Sequence, residues 1–379
     1  MSRYVALVAG VCLLVLSTAA WAYQLRSFQL ADGGGQATFE SVYMMDADTG
    51  YAVSWGEDYA SATIYQTTDG GATWSAITTL DTTLSTGATG AFAVFRPSGF
   101  VLGNYYWDSR AYQMKGRVFA SWDNGATWSE LTQSVTSKLG SAEVGIWGAG
   151  VSDSGIWLRA TDRSTGTFML FSPDQGASWS TYATPLSYFR FSVSQNNSVV
   201  GYGTDSGGVS RIARFDPDSG AFKVMSGGDL DKVDATSVDC NWSGNVFTVS
   251  DYRSTNNTSQ RMAVVTTDGG ANWSTLFDSS VNSGDHPGYD FFDALAVDGQ
   301  TAYATWHQWS VDSQGNVSNT GFAIKKTSDG GASWSSIAEG STEGHYYVPQ
   351  QASDGSNPYV LEIWPSDRLR AIGGYFDLP

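Results

Sequence analysis

Arginine set beside aspartate and aromatic rings is the combination in this chain that could do chemistry, and it recurs. The stretch NYYWDSRAYQMKG (104–116) gathers Tyr105, Tyr106, Trp107, Asp108 and Arg110, and TDRSTG (161–166) pairs Asp162 with Arg163. SDYRSTNNTSQ (250–260) pairs Asp251 with Arg253, and WHQWSVDSQGN (306–316) holds Trp306, His307 and Trp309. Arg368 follows Asp367 in the same manner. An aromatic face stacks on the apolar side of a ligand, and a guanidinium can grip a carboxylate with two parallel hydrogen bonds, so these stretches suit a sugar or an acidic ligand. Tyr105, Trp107, Arg110, Arg163, Arg190, Arg253, Trp306, His307 and Trp309 form the expected ligand-binding set. A second group, Glu40, Glu143, Asp234, Asp290, Asp293, Glu343 and His345, precedes or opens apolar strands. Within it Asp290, Glu343 and Glu143 are the catalytic candidates, because paired carboxylates can serve as acid and base in glycoside cleavage when their separation is right. The three histidines, His286, His307 and His345, are scattered, and the calcium-like DADTG (46–50) and DPDSG (216–220) lack the later Glu ligand. No metal or other cofactor is therefore expected.

The elements that must position these residues announce themselves by repetition. Five phrases, TTDGGATW (67–74), SWDNGATW (121–128), SPDQGASW (172–179), TTDGGANW (266–273) and TSDGGASW (327–334), fit S/T-x-D-x-G-x-S/T/N-W. Their key residues are Asp69 and Trp74, Asp123 and Trp128, Asp174 and Trp179, Asp268 and Trp273, and Asp329 and Trp334. The aspartates are separated by 54, 51, 94 and 61 residues, and the long gap holds a worn copy, DPDSGAFK (216–223), in which Asp218 and Gly220 keep their places and Lys223 replaces the tryptophan. The phrase reads as a tight hairpin: glycine supplies positive φ, the Asp and the hydroxyl bond backbone N–H groups, and the tryptophan packs back over the turn.

A second pattern, a polar turn leading into an apolar strand, occurs seven times: DADTGYAVS (46–54), RPSGFVLG (96–103), SDSGIWLR (152–159), QNNSVVG (195–201), NWSGNVFTV (241–249), VDGQTAYAT (297–305) and SDGSNPYVLE (353–362). After the last phrase only three strands remain, near 345–351, 358–364 and 368–376, while one orphan strand, YQLRSFQL (23–30), precedes the first. If the orphan completes the last group, both termini close a ring of seven four-stranded sheets and no sheet edge is left open at the junction. Six groups with a C-terminal extension is the alternative. No long helix is expected, and AEGSTEGH (338–345) reads as a polar connecting loop.

The repeated phrase resembles the Asp box, or BNR repeat, of sialidases and related β-propellers, over most of the chain. That resemblance implies an all-β, seven-bladed propeller in which each box joins the third and fourth strands of a blade, on the face away from the central site. The grammar D-x-x-x-G-Y-A-V followed by T-x-D-G-G-x-x-W is most similar to the photosystem II assembly-factor family, whose members are scaffolds for protein assembly. Sialidase activity would need an F/Y-R-I-P motif before the first box, yet Arg26, in LRSF, is the only arginine between residue 22 and that box, and Arg96, in VFRPSGF, comes after it on a first-to-second-strand turn. Xyloglucan-cleaving relatives resemble two propellers in tandem, whereas this chain holds one.

The bulk numbers set the boundaries. Met1 to Ala22 carries Arg3, an apolar run and Ala20-Trp21-Ala22, the pattern of a signal peptide cleaved before Tyr23. Residues 23–379 then form a single propeller domain of 357 residues, 51 for each of seven blades. The chain carries 20 basic and 37 acidic residues, a net charge of −17, so nucleic acid is a poor partner. Cys240 is the only cysteine after residue 22 and reads as an inert buried thiol. The reading is a secreted or periplasmic monomer that does not insert into the membrane after cleavage. Its expected partner is a cell-envelope or extracellular protein, a peptide or a glycan, bound without catalysis; a carboxylate-dependent glycosidase is the alternative.

Overall fold

The computed structural model describes residues 24–27, 38–46, 48–71, 73–84, 87–108, 113–140, 144–162, 166–241, 243–251, 261–279, 290–311, 314, 317–341, 346–351, 358–363 and 372–375. Strand β1 (Gln24–Ser27) comes first. Six four-stranded antiparallel sheets follow, each in simple sequence order. The first holds β2 (Thr38–Met44), β3 (Gly50–Trp55), β4 (Ser61–Thr67) and β5 (Ser75–Asp81). The second holds β6 (Gly90–Arg96), β7 (Gly99–Asp108), β8 (Gln113–Ser121) and β9 (Ser129–Glu130), then helix α1 (Thr132–Leu139). The third holds β10 (Gly145–Ser152), β11 (Gly155–Asp162), β12 (Gly166–Ser172) and β13 (Ser180–Ala183), and the fourth β14 (Ser187–Val193), β15 (Val199–Thr204), β16 (Ser210–Asp216) and β17 (Ala221–Met225). The fifth holds β18 (Ser237–Cys240), β19 (Phe247–Asp251), β20 (Met262–Thr266) and β21 (Ser274–Asp278), and the sixth β22 (Asp290–Ala296), β23 (Ala302–Val311), β24 (Val317–Thr327) and β25 (Ser335–Ser341). Finally β26 (Tyr346–Gln351) pairs with β27 (Pro358–Ile363), and β28 (Ile372–Tyr375) pairs antiparallel with β1, Arg26 opposite Gly373.

Consecutive sheets are glued face to face. One core cluster joins Val53, Trp55 and Ile64 of the first sheet to Phe95, Phe100 and Leu102 of the second. The next joins Val101, Val118 and Ala120 to Ile156, Leu158 and Leu170 of the third, and another joins Trp157 and Met169 to Ala213 and Phe215 of the fourth. Val200 and Ile212 pack on Val249 and Val264, and Ala263 and Val265 pack on Ala294, Ala304 and Ala323. The second to fifth sheets thus bury both faces against neighbours in chain order, which is why their strands read as nearly continuous apolar runs. The first strands approach closely at Gly150, where a Cβ would overlap the Val193 side chain of the next sheet.

All five repeated phrases connect the third and fourth strands of their sheets. In the first, Thr67 Oγ1 donates to Asp69 Oδ1 (2.8 Å) and accepts from Gly71 N–H (2.9 Å), while Thr73 N–H and its hydroxyl donate to the two Asp69 oxygens (2.8 and 2.7 Å). The same four bonds recur around Asp123, Asp174, Asp268 and Asp329, with Asn272 Nδ2 replacing the hydroxyl at Asp268. These donors hold the Asp123, Asp268 and Asp329 carboxyls down at about 2. The indoles of Trp74 and Trp128 donate back to Gly71 and Gly125 carbonyls (3.2 and 3.0 Å).

Three expectations are corrected. In the worn copy Asp216, not Asp218, carries the turn: its carboxylate accepts from Asp218 N–H and Ser219 and pairs with Lys223, the residue in the place of the tryptophan. Helix α1 was not expected. Its amphipathic signal is one buried residue, Val135, and its Ser134 hydroxyl accepts the Trp179 indole N–H (3.0 Å), so the helix props the neighbouring phrase. Residues 338–341 belong to β25, because their backbone extends the ladder to β24 up to Gly321–Ser341; the remainder of 338–345 lies outside the described residues.

Candidate functional site

Strand order gives the sheets two ends. First-to-second and third-to-fourth connections, hence the repeated phrases, share one end; the lead-ins to the first strands and the second-to-third connections share the other, called here the loop end. At the loop end three consecutive sheets bring arginine and aromatic side chains together. Arg159 on β11 stacks over Trp147 of β10 (4.3 Å to the ring) and donates to the carbonyls of Phe189 (2.5 Å) and Trp147 (3.3 Å). It therefore reaches β14 of the next sheet, beside Arg190, which faces Tyr202 in register. Burial first, and then the neighbouring Arg190 charge, lower Arg159 to about 10; the phenols of Tyr105 and Tyr202 act the other way. Among the described residues no carboxylate offsets this pair, whereas Arg117 is held by Glu130 (2.8 Å) and Arg211 by Asp205 (3.2 Å). The Arg159 Nε and Trp147 Nε1 protons are buried without an acceptor among the described residues.

Local sequence builds this cluster through bulges. The ladders of β2, β10, β14 and β22 each slip near the start of the strand, at Phe39/Ser41, Ile146/Gly148, Ser187/Arg190 and Phe291/Asp293. A bulge places two residues opposite one and re-aims a side chain. In β10 it frees Trp147 to lie under Arg159. In β14 it puts Tyr188 in the left-handed region, φ 54°, with its side chain 74% exposed, while Phe189 beside it is fully buried.

At the opposite end the first strands of all six sheets enclose a cavity of about 210 Å³, lined by Tyr43, Arg96, Phe191, Gln195, Asp239 and Cys240 among others. Gln195 Nε2 donates across it to Ser98 (3.1 Å) and to Asp153, tying three turns together. Burial, reinforced by Asp293, raises the Asp239 carboxyl above the usual carboxylate range, and Arg96 opposes this. Burial also raises Asp293, against the hydrogen bonds that its carboxylate accepts from Ser237 (2.9 Å) and Ala294 N–H (2.9 Å). The Cys240 thiol, 3.3 Å from Ser192 Oγ, is pushed up to about 11 by burial, which removes its nucleophilic form at neutral pH. Among the described residues no three His, Cys, Asp or Glu side chains are grouped to hold a metal ion.

Neither a known family model nor a curated protein matches the sequence. Solved structures do match in shape. YCF48 from Cyanidioschyzon merolae superposes with a TM-score of 0.52 at 11% identity, over 93% of this chain and 99% of its own. An ulvan lyase of polysaccharide lyase family PL25 gives 0.52 at 9% identity, over 94% and 95%. The GH74 xyloglucanase from Xanthomonas campestris gives 0.42 at 15% identity, over 90% of this chain and 67% of the enzyme. The first two are β-propellers that match across nearly their whole length. The fold is a β-propeller. At these identities the likeness extends to the fold alone.

Within the propeller the sequence-derived residues fare differently. Tyr105, at the loop end of β7, and Arg190 fall in the arginine–aromatic cluster. Trp306 and His307 do not stand open, which corrects their expected place on a ligand face: they lie inside β23, Trp306 2% exposed and His307 fully buried. Trp306 packs edge-on against Phe277 (5.5 Å) and Trp334 (5.3 Å), filling the seam between two sheets. Asp293 is buried in β22, and the backbone N–H of Asp234 donates to Asp251 Oδ2 (3.3 Å). Trp107, Trp309, Asp290 and Glu40 sit in strands whose side chains there are not among the described ones; Arg110, Arg163, Arg253, Arg368, Glu143, Glu343, His286 and His345 lie outside the described residues. Trp147, Arg159, Tyr188 and Asp239 escaped the sequence reading. Arg159 and Trp147 sit in apolar strands without an adjacent acid, and the unusual backbone of Tyr188 has no composition signal.

Proposed function

We propose that this chain is an exported, non-catalytic β-propeller that binds a protein, peptide or glycan ligand at the loop end of its central channel. The observation that carries the reading is the Arg159–Arg190 pair, held together with Trp147, Tyr105 and Tyr202 across three sheets without a carboxylate partner among the described residues. Like charges gathered in an otherwise acidic protein cost energy unless an anion uses them. The repeated phrases support it from the other side: their aspartates are saturated by their own turns, as in an Asp box that holds a frame.

The same reading takes the ring as seven blades. In it β26, β27, β28 and β1 form the last blade, closed by the pairing of both termini. It takes residues 1–22 as a cleaved signal peptide, on the pattern of Arg3, the apolar run and Ala20-Trp21-Ala22. Among the described residues no helix is long and apolar enough to cross a membrane. Arrays of neutral and acidic glycans and of peptides, probed with the chain and with Arg190→Gln, test the function. A ligand bound by the first and lost by the second supports it. No ligand, or equal binding by both, refutes it.

A second reading, a glycosidase, is favoured by Asp239 and Asp293, two carboxyls raised by burial at the inner strands. A raised acid is what proton donation to a leaving group near neutral pH requires. Hydrolysis of aryl glycosides, abolished by Asp239→Asn, would establish it and displace the non-catalytic reading.

A further inference from the structure

Tyr188 is the side chain in this structure that packing does least to explain. The residue is 74% exposed, and the other exposed large apolar residues among the described ones, Ile77, Val209 and Val224, are aliphatic. Its φ of 54° is a strained conformation for a ring-bearing residue, and such strain persists where the surroundings impose it, commonly at ligand sites. Here the surroundings are a bulge: Ser187 pairs with Thr204 and Arg190 with Tyr202, so Tyr188 and Phe189 share one place opposite Gly203. Phe189 takes the inward position and is fully buried, which leaves the outward position to Tyr188. The Phe189 carbonyl is tied down by Arg159 (2.5 Å), so the bulge is braced from the neighbouring sheet by the same arginine that stacks on Trp147. Exposed Arg190 follows two residues after Tyr188.

We propose that the bulge of β14 is a subsite for an acidic saccharide, with the Tyr188 ring stacking on the C–H face of a pyranose and Arg190 receiving its carboxylate or sulfate. This rests on the loop end being the ligand-binding face. A uronic acid or sulfated sugar offers one flat apolar face and one anion per ring, the combination that one exposed aromatic and one guanidinium without a carboxylate partner among the described residues would take. An acidic peptide would use the arginines and leave the Tyr188 face idle. The body of the protein, at −17, repels a dense polyanion, so binding depends on the local arginines and weakens steeply with salt.

The test is titration calorimetry of the chain with hexagalacturonate, a sulfated hexasaccharide, a neutral xyloglucan oligosaccharide and hexaglutamate. Binding of at least one acidic saccharide is expected, with affinity lowered tenfold or more by Tyr188→Ala and by Arg190→Gln, and kept by Tyr188→Phe, which retains the ring. The two acidic saccharides separate carboxylate from sulfate. Both positions are exposed, and circular dichroism of the variants checks their folding. Equal response to Tyr188→Ala and Tyr188→Phe, or no acidic saccharide bound, overturns the subsite. If the neutral sugar or the peptide binds instead and Arg190→Gln abolishes it, the acidic-saccharide assignment falls and the loop-end reading stands. If Arg190→Gln changes nothing in any arm, both fall.

Discussion

Trp306→Ala separates a frame residue from a binding residue. From its sequence context this tryptophan reads as an open platform; in the structure it is 2% exposed, edge-on to Phe277 and Trp334, with Lys325 Nζ 5.2 Å from its ring. Burying a tryptophan removes about 150–250 Å² from water, which at about 25 cal/mol/Å² is worth roughly 4–6 kcal/mol as an upper bound. Alanine retains a little of that, and the cavity left between two sheets relaxes only in part, so the expected loss is about 3–5 kcal/mol. Urea unfolding followed by near-ultraviolet circular dichroism should show the unfolding free energy falling by that amount, with a correspondingly lower midpoint. Tyr188→Ala, at an exposed site, should stay within about 0.5 kcal/mol of the parent. A loss under about 1 kcal/mol for Trp306→Ala, with the fold intact, would mean that the seam between the fifth and sixth sheets is not built as described.

Three shorter predictions follow from other parts of the ring. The carboxyls of Asp123, Asp268 and Asp329 are depressed to about 2 in the folded state, below their unfolded value near 4, so the stability they supply is full above about pH 4 and is lost as pH falls toward 2. Acid titration of unfolding should show that loss, reduced in Asp123→Asn; a flat profile from pH 4 to 2 would contradict the turn geometry. Asp239 is raised in the folded state, so the sign reverses: stability falls as pH climbs from the unfolded carboxylate value, and Asp239→Asn should remove that slope and be the more stable form at pH 8. An unchanged slope would place its carboxyl in water. Gly150→Ala should cost about 1–3 kcal/mol, because the added methyl meets the Val193 side chain; a neutral result would show that the first strands stand farther apart.

The frame was legible because it is written in turn chemistry. Each S/T-x-D-x-G-x-S/T/N-W phrase contains all the partners it bonds, so the third-to-fourth connection could be read from eight residues, as could the first-to-second turns at 46–50 or 297–301, where Asp46 and Asp298 accept from the N–H groups of Thr49 and Thr301 (both 2.7 Å). The site was less legible because it is assembled between sheets. Arg159 looks like one more strand residue until its guanidinium is seen at the Phe189 carbonyl thirty residues away. Trp306 misled because it stands beside a polar hairpin in sequence and a sheet seam in space. In the worn copy the turn bonds fall to Asp216 rather than Asp218, and Lys223, in the place of the tryptophan, gives Asp216 a charge partner. Helix α1 carries too short a pattern for periodicity to reveal it.

The proposed seven-bladed ring depends on closure by the two termini. In the Cys240→Ser background, Arg26→Cys and Gly373→Cys stand opposite each other in the β1–β28 ladder. Mild oxidation of the native chain should link them within one molecule, giving a species of altered mobility on a non-reducing gel that reverts on reduction, and the link should fail in denaturant. Absence of that intramolecular disulfide in the folded protein, while a control pair across β2 and β3 such as Val42→Cys with Ala52→Cys does form, would contradict the closed ring.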